Sequence, residues 1–302
     1  DGTGIPTEHE PRLRIEGKVT LVSGDVPFDG NPSYIRPDVT IDAGRSAACV
    51  TCHQGRESGA SVQRRMAQLD ANGPARKVDP CDGNDDEFSG TIFLNPHYFT
   101  AAASLYSQKG YELPGQTYYP GNPLHQSARC LGCHAVENES VNLGGHSFRQ
   151  RYNGKENVEA CVSCHGPIDS FDAVGRRRDM DGDGEHEPIN DELAGLRDII
   201  RDALAAQGIY FGPNYPYWYT TPNPSLQNDG TAVETWLESQ MIAAFNLRLV
   251  ERDPGAWVHN YRYAVQLLRD AYENLTGLTL DGIRPDTTDD RTSVTDVLCS
   301  TP

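Results

Sequence analysis

Three pentapeptides of one kind constrain this 302-residue chain more than anything else in it: Cys49-Val50-Thr51-Cys52-His53, Cys130-Leu131-Gly132-Cys133-His134 and Cys161-Val162-Ser163-Cys164-His165. Each sets two thiols three positions apart and an imidazole directly after the second. In a chain with 8 Cys and 9 His, composition alone supplies about 0.006 such pentapeptides, so three are not an accident of usage. C-x-x-C-H is the spacing of covalent c-type haem attachment. Two thiols reach the two vinyl groups on one porphyrin edge, and the next imidazole turns up to the iron as proximal ligand. The competing readings are weaker. Zinc takes Cys₄ or Cys₂His sets and has no use for His after the second Cys in every motif. A thioredoxin-type redox pair needs a βαβ context that this sequence does not offer. The residues therefore imply three haems c, with His53, His134 and His165 as proximal ligands.

The rest of the composition agrees with a chain that does not fill its own interior. Hydrophobic residues are 37%, with 29 Gly and 20 Pro, and the mean hydropathy is −0.58. A loop-rich protein with a modest apolar core follows, part of that core coming from something other than side chains. The net charge of −17 (pI about 4.8) argues against nucleic acid and anionic membrane surfaces and favours basic partners or cations. No apolar run approaches the ~18 residues of a membrane span. The first residue is Asp1 and no signal peptide is present, which suits a processed chain and equally a trimmed one.

Three irons that only carry electrons need three sixth ligands. Met66, Met180 and Met241 sit in no obvious ligand loop, whereas six histidines remain: His9, His97, His125, His146, His186 and His259. Bis-His coordination is the expectation. His259 stands at the entrance of a helical run in which Val265, Leu268, Tyr272 and Leu275 share one side; the bland alternative is a polar helix-terminal residue. His146 follows Gly144-Gly145, where glycines let backbone approach a flat ring. His97 lies in Asn95-Pro96-His97-Tyr98-Phe99, and His125 precedes the second motif by five residues. His9 and His186 sit in polar or Pro-rich surroundings and read as solvated. Four distal candidates for three irons mean that each can be capped within the chain, the surplus being structural or serving a neighbouring copy.

Residues 1–44 read as an arm with a β-strand or hairpin, 45–185 as the haem-binding region, and 186–302 as a helical region supplying a distal His. Alternation from Arg12 to Val22 predicts a strand, and 23–44 a Gly/Pro-rich loop. Helices are predicted within Ala47–Asn72, at 97–109, Asn190–Gln207, Val233–Arg252 and from Tyr261. The aromatic stretch Tyr210–Tyr219 could cover a haem face, form a subunit contact, or be a packed loop. Cys81 and Cys299 could pair in an oxidising compartment, or remain free or intermolecular thiols. Asp179, Asp181 and Asp183, with Gly184 sixth, match the first half of an EF-hand loop, but the twelfth position is Asn190 rather than Glu. Ca²⁺ and a solvated acidic turn both remain open there. Asn138 and Asn274 match glycosylation acceptors, a weak pattern.

On these motifs, together with Cys52-His53-Gln54-Gly55-Arg56-Glu57-Ser58, the Asn95–Phe99 stretch and the run from His259 to Leu275, the chain resembles the multihaem c-type cytochromes of extracellular or periplasmic electron transfer. The likeness covers most of residues 45–276. It implies a mainly α fold with long loops, haems forming much of the core, and bis-His irons close enough for direct hopping. It also implies attachment of haem after export, to the periplasm or cell exterior, and a redox protein or terminal acceptor as partner. Some members polymerise into conductive filaments, which makes copies of the chain itself a candidate partner. An electron carrier rather than an enzyme is the expectation. The alternative is a multihaem reductase or peroxidase with one open iron and Arg56, Tyr98 or His125 as acid–base groups.

Overall fold

The structure, a computed structural model, describes residues 16–21, 39–69, 83–174, 177–222 and 231–285. The alternating segment near the start forms strand β1 (Gly17–Leu21), antiparallel to β2 (Val39–Gly44) with Val19 opposite Ile41. The partner lies where a loop is expected, because the β-branched run Val39-Thr40-Ile41 outweighs the Gly and Pro around it. Val19, Leu21 and Ala43 pack on Ala47 and Val50 of helix α1 (Ala47–Cys52), and with Ala102, Leu105 and Tyr106 they make a small satellite core.

The helix expected within Ala47–Asn72 is broken in two. After α1 the chain turns through 53–58, and Ser58 then starts α2 (Gly59–Leu69) by accepting the Ser61 N–H through its hydroxyl. The short strand β3 (Glu87–Ser89) follows, then α3 (Ala101–Leu105). The predicted helix over 97–109 shrinks to this turn and a half because Ser107 and Gln108 take φ of 57° and 66°. The bend delivers the Lys109 carbonyl to the Gly59 N–H at 2.9 Å.

Helix α4 (Pro123–His134) is capped by Asn122, whose side chain accepts the Leu124 N–H, with Pro123 at its first position. It is interrupted at Arg129 (φ 58°, ψ −169°). A 3₁₀ turn (Gly145–Ser147), the hairpin of β4 (Arg151–Tyr152) and β5 (Lys155–Glu156), α5 (Glu159–His165) and another 3₁₀ turn (Phe171–Ala173) complete this stretch. Between 123 and 174 only Leu143, Gly144, Asn157 and Phe171 are buried, and neither α4 nor α5 buries a residue.

The remainder is α6 (Ile189–Ala206), β6 (Tyr210–Phe211), β7 (Trp218–Tyr219), β8 (Thr235–Leu237), α7 (Glu238–Glu251), α8 (Ala256–His259) and α9 (Tyr261–Thr276). Helices α6, α7 and α9 pack on one another, and every residue from Glu238 to Val250 is buried. The predicted helix over Val233–Arg252 starts late because Thr235–Leu237 pairs with β3, placing Phe88 opposite Trp236. The aromatic stretch 210–219 packs in part against the core. It folds as the β6–β7 hairpin, with Trp218 and Tyr219 each 1% exposed and Trp218 edge-on to Phe93 and Phe211. The chain is helix-rich with short two-stranded sheets, and no helix among the described residues is long and apolar enough to cross a membrane.

Candidate functional site

The end of α4 meets the end of α8 through two imidazoles. His134 and His259 have ring centroids 6.2 Å apart and planes at 39°. The start of α4 meets the end of α5 in the same way, with His125 and His165 at 6.4 Å and 53°. Two imidazoles on opposite sides of one metal have centroids roughly 6.3 Å apart, from ~2.0 Å metal–nitrogen bonds and ~1.15 Å from nitrogen to ring centre. Both separations fit.

The ring nitrogens are arranged to match. His134 Nδ1 lies 2.8 Å from the Phe148 carbonyl and His125 Nδ1 3.1 Å from the Val258 carbonyl. His259 Nδ1 is 2.9 Å from both carboxylate oxygens of Asp253. A carbonyl or carboxylate can only accept, so each Nδ1 carries the proton and each Nε2 keeps its lone pair for a metal. Burial lowers the pKa of His134 and of His125, holding both neutral as ligands must be. At His259 burial acts the same way, but the Asp253 carboxylate outweighs it and the pKa rises. Asp253, 1% exposed, would be raised by burial; His259, the Ser104 hydroxyl and the Gly255 N–H bring it down instead. Gly255 is needed beside this ring, since a Cβ there would stand 2.7 Å from His259 Cε1.

The motifs themselves adjoin in chain order. Burial and then the neighbouring Cys49 push the Cys130 thiol up to about 11, and burial and then Cys133 raise Cys161. The Leu131 N–H reaches the Ser46 hydroxyl at 3.1 Å, fastening the second motif to the start of α1. No disulfide joins any of the six motif cysteines. Among the described residues, the groups that gather three or more His, Cys, Asp or Glu side chains are both acidic and contain no cysteine.

Around the first motif the arrangement differs. The His53 carbonyl accepts the Ala102 N–H at 2.9 Å, and Thr100 fixes α3 to α7 through Leu249 O at 2.7 Å. The ring facing His53 is Phe99, at 5.5 Å, not a histidine. His97 is exposed with Tyr98 as its ring neighbour, and Arg56 Nη2 donates to Tyr98 Oη at 3.2 Å. His97 and Tyr98 both hold positive φ, 52° and 42°, at a cost of ~1–3 kcal/mol each. His146 is exposed in its 3₁₀ turn. Two residues before it, a Cβ on Gly144 would run into the Val136 carbonyl. His186 is exposed, and His9, Cys81 and Cys299 lie outside the described residues.

Asp179, Asp181 and Asp183 share one loop. Asp179 and Asp181 converge with Glu192, and Asp181 and Asp183 with Glu187. Glu192, 1% exposed, arrives from the first turn of α6 and accepts the Met180 N–H at 2.7 Å. An acidic residue one helical turn into a following helix is the signal that a strict twelfth-position count misses. Burial and then the neighbouring carboxylates raise Asp181 to about 6. Asp253, Val258 and Phe99 also escape sequence reasoning, since their roles come from contacts across the fold.

Two relatives are polyhaem proteins of Geobacter sulfurreducens. The chain is 26% identical over 304 aligned positions to the c-type polyheme cytochrome OmcC, which covers 86% of this chain and 34% of that one. It is 25% identical over 265 positions to the c-type polyheme cytochrome OmcB, covering 77% and 31%. The chain thus spans about a third of the length of the curated relatives it matches. No protein-family profile and no solved structure matches it.

Proposed function

We propose that the chain carries three covalent haems c and passes electrons along them in the order of the motifs. Cys49 and Cys52, Cys130 and Cys133, and Cys161 and Cys164 hold the three groups; His53, His134 and His165 are proximal. His259 is the distal partner of His134, and His125 that of His165. Bound haem supplies one-electron redox chemistry. The protein fixes imidazole orientation through Phe148, Val258 and Asp253, shields the rings, and keeps neighbouring motifs in contact. The observation that carries this reading is the two facing imidazole pairs, at 6.2 and 6.4 Å, with Nε2 of His134, His259 and His125 left over. The naming of both relatives as c-type polyhaem cytochromes supports it.

The test is a pyridine haemochrome assay with intact-mass measurement on the purified chain. Three haems c per chain are expected, and fewer would sink the proposal. His259→Ala and His125→Ala should each turn one low-spin haem high-spin. An exported protein meeting a redox partner through a basic face is the setting that the charge of −17 favours.

The iron at His53 admits a second reading, because Phe99 rather than an imidazole faces that ring. On the first reading His97, two residues from Phe99, is its sixth ligand. On the second that iron is open beside Arg56 and Tyr98, and the chain is a reductase or peroxidase. Binding of one cyanide or CO per chain favours the open iron; no binding favours His97.

A further inference from the structure

The three secured imidazoles do not have equivalent partners. His134 and His125 donate to neutral backbone carbonyls, whereas His259 donates to a carboxylate placed evenly between its two oxygens at 2.9 Å. That carboxylate, on Asp253, is 1% exposed. Its other partners are neutral, the Gly255 N–H at 3.0 Å and the Ser104 hydroxyl, and its ion-pair partner is His259 itself. With Nε2 committed to a metal, the His259 ring is neutral and keeps a single proton, the one pointed at Asp253. A buried anion there draws the proton outward and leaves the ring more electron-rich, more strongly so in a low-dielectric interior. An electron-rich axial ligand favours the ferric state and lowers the potential.

We infer that Asp253, acting through His259 as a positioning residue, makes the haem held by His134 and His259 the lowest in potential of the three. The inference rests on the haem reading above. This haem is also the middle one. His134 is near enough to His53 for their charges to interact, and His259 interacts likewise with His125, the partner of His165. An electron crossing from either end then climbs at the centre, so Asp253 sets how freely the two ends exchange.

The test uses the full haem-loaded chain and spectroelectrochemical titration of all three haems, with haem content and low-spin EPR signals measured in parallel. Asp253→Asn keeps the shape and an accepting oxygen but removes the charge. It should leave three low-spin haems and raise the lowest midpoint by at least a tenfold change in the reduction equilibrium, which is 59 mV for one electron. Asp253→Glu should restore part of the low value. Ser104→Ala leaves the charge and removes a hydroxyl that stabilises it, so the same midpoint should fall. Unchanged midpoints in Asp253→Asn, with haem content and spin state intact, overturn the inference. If Asp253→Asn does not fold, Ser104→Ala decides alone: a fall supports the inference and no change overturns it. Failure of the parent reading looks different, as fewer than three haems in the wild-type chain or no spin change in His259→Ala.

Discussion

Helices α6, α7 and α9 and the stretch 123–174 are built on opposite plans. In the first, apolar side chains fill the interior: Leu193, Leu196, Ile200 and Leu204 of α6 meet an α7 that is buried from Glu238 to Val250. In the second, two helices and two hairpin strands bury almost nothing, although the two facing histidine pairs draw on them. Order in the bundle comes from burial, worth ~1.5–3 kcal/mol for each large side chain. On the proposed reading, order in the 123–174 stretch comes largely from what its cysteines and histidines hold. On that reading the difference teaches that the apolar core and the redox centres sit in adjoining but separate parts of the chain, joined where His259 at the end of α8 faces His134 of α4.

The contrast can be broken most directly at the second motif. Cys130→Ala with Cys133→Ala should bring hydrogen exchange across 123–174 close to unfolded rates while α7 amides stay protected. Joint loss of protection in α7 would mean that the two regions are one cooperative unit. The converse substitution, Phe245→Ala in the bundle, should cost about 3–5 kcal/mol of stability and leave the haem spectrum of the folded protein unchanged. Thermal melts followed at the haem and in the far ultraviolet would check both halves of that statement.

A smaller effect belongs to the acidic loop that leads into α6. Asp181 holds its proton more tightly folded, at about 6, than its ordinary value of 3.8. Its contribution to stability is therefore complete below about 3.8 and lost as pH rises through 6. In metal-free buffer the melting temperature should fall across that window, and Asp181→Asn should flatten the fall. Added Ca²⁺ that reverses the slope would show that the loop takes a cation. Least of all, Arg151→Ala should cost no more than ~1 kcal/mol, since its 2.7 Å pair with Glu156 is partly exposed. A larger loss would assign weight to its stacking on Phe171 and Trp257 at the edge of the two regions.

Legibility in the sequence follows range. The three pentapeptides, the helix that becomes α6 and the one that becomes α9 are written in local spacing, and the structure keeps their bounds within a residue or so. The helix predicted over 97–109 fails because propensity carries no notice of the reversal at Ser107 and Gln108. The start of α7 is misjudged because Thr235–Leu237 takes a strand partner from 87–89. The site divides the same way. His259 stands out from its position before an amphipathic run, but nothing local distinguishes His125, which faces His165, from His97, which does not. Asp253 is ordinary in sequence and acquires its role only when the turn through Gly255 folds His259 back upon it.

Helix α4 is a shared part. Ahead of Arg129 it presents His125 to the third pentapeptide, and behind Arg129 it carries the whole of the second. On the proposed reading, a single deletion within it would misalign two centres together, and no cut between the second and third motifs leaves either of them complete. Lineages that lengthen or shorten such a chain would have to add or remove these centres as overlapping couples rather than one at a time.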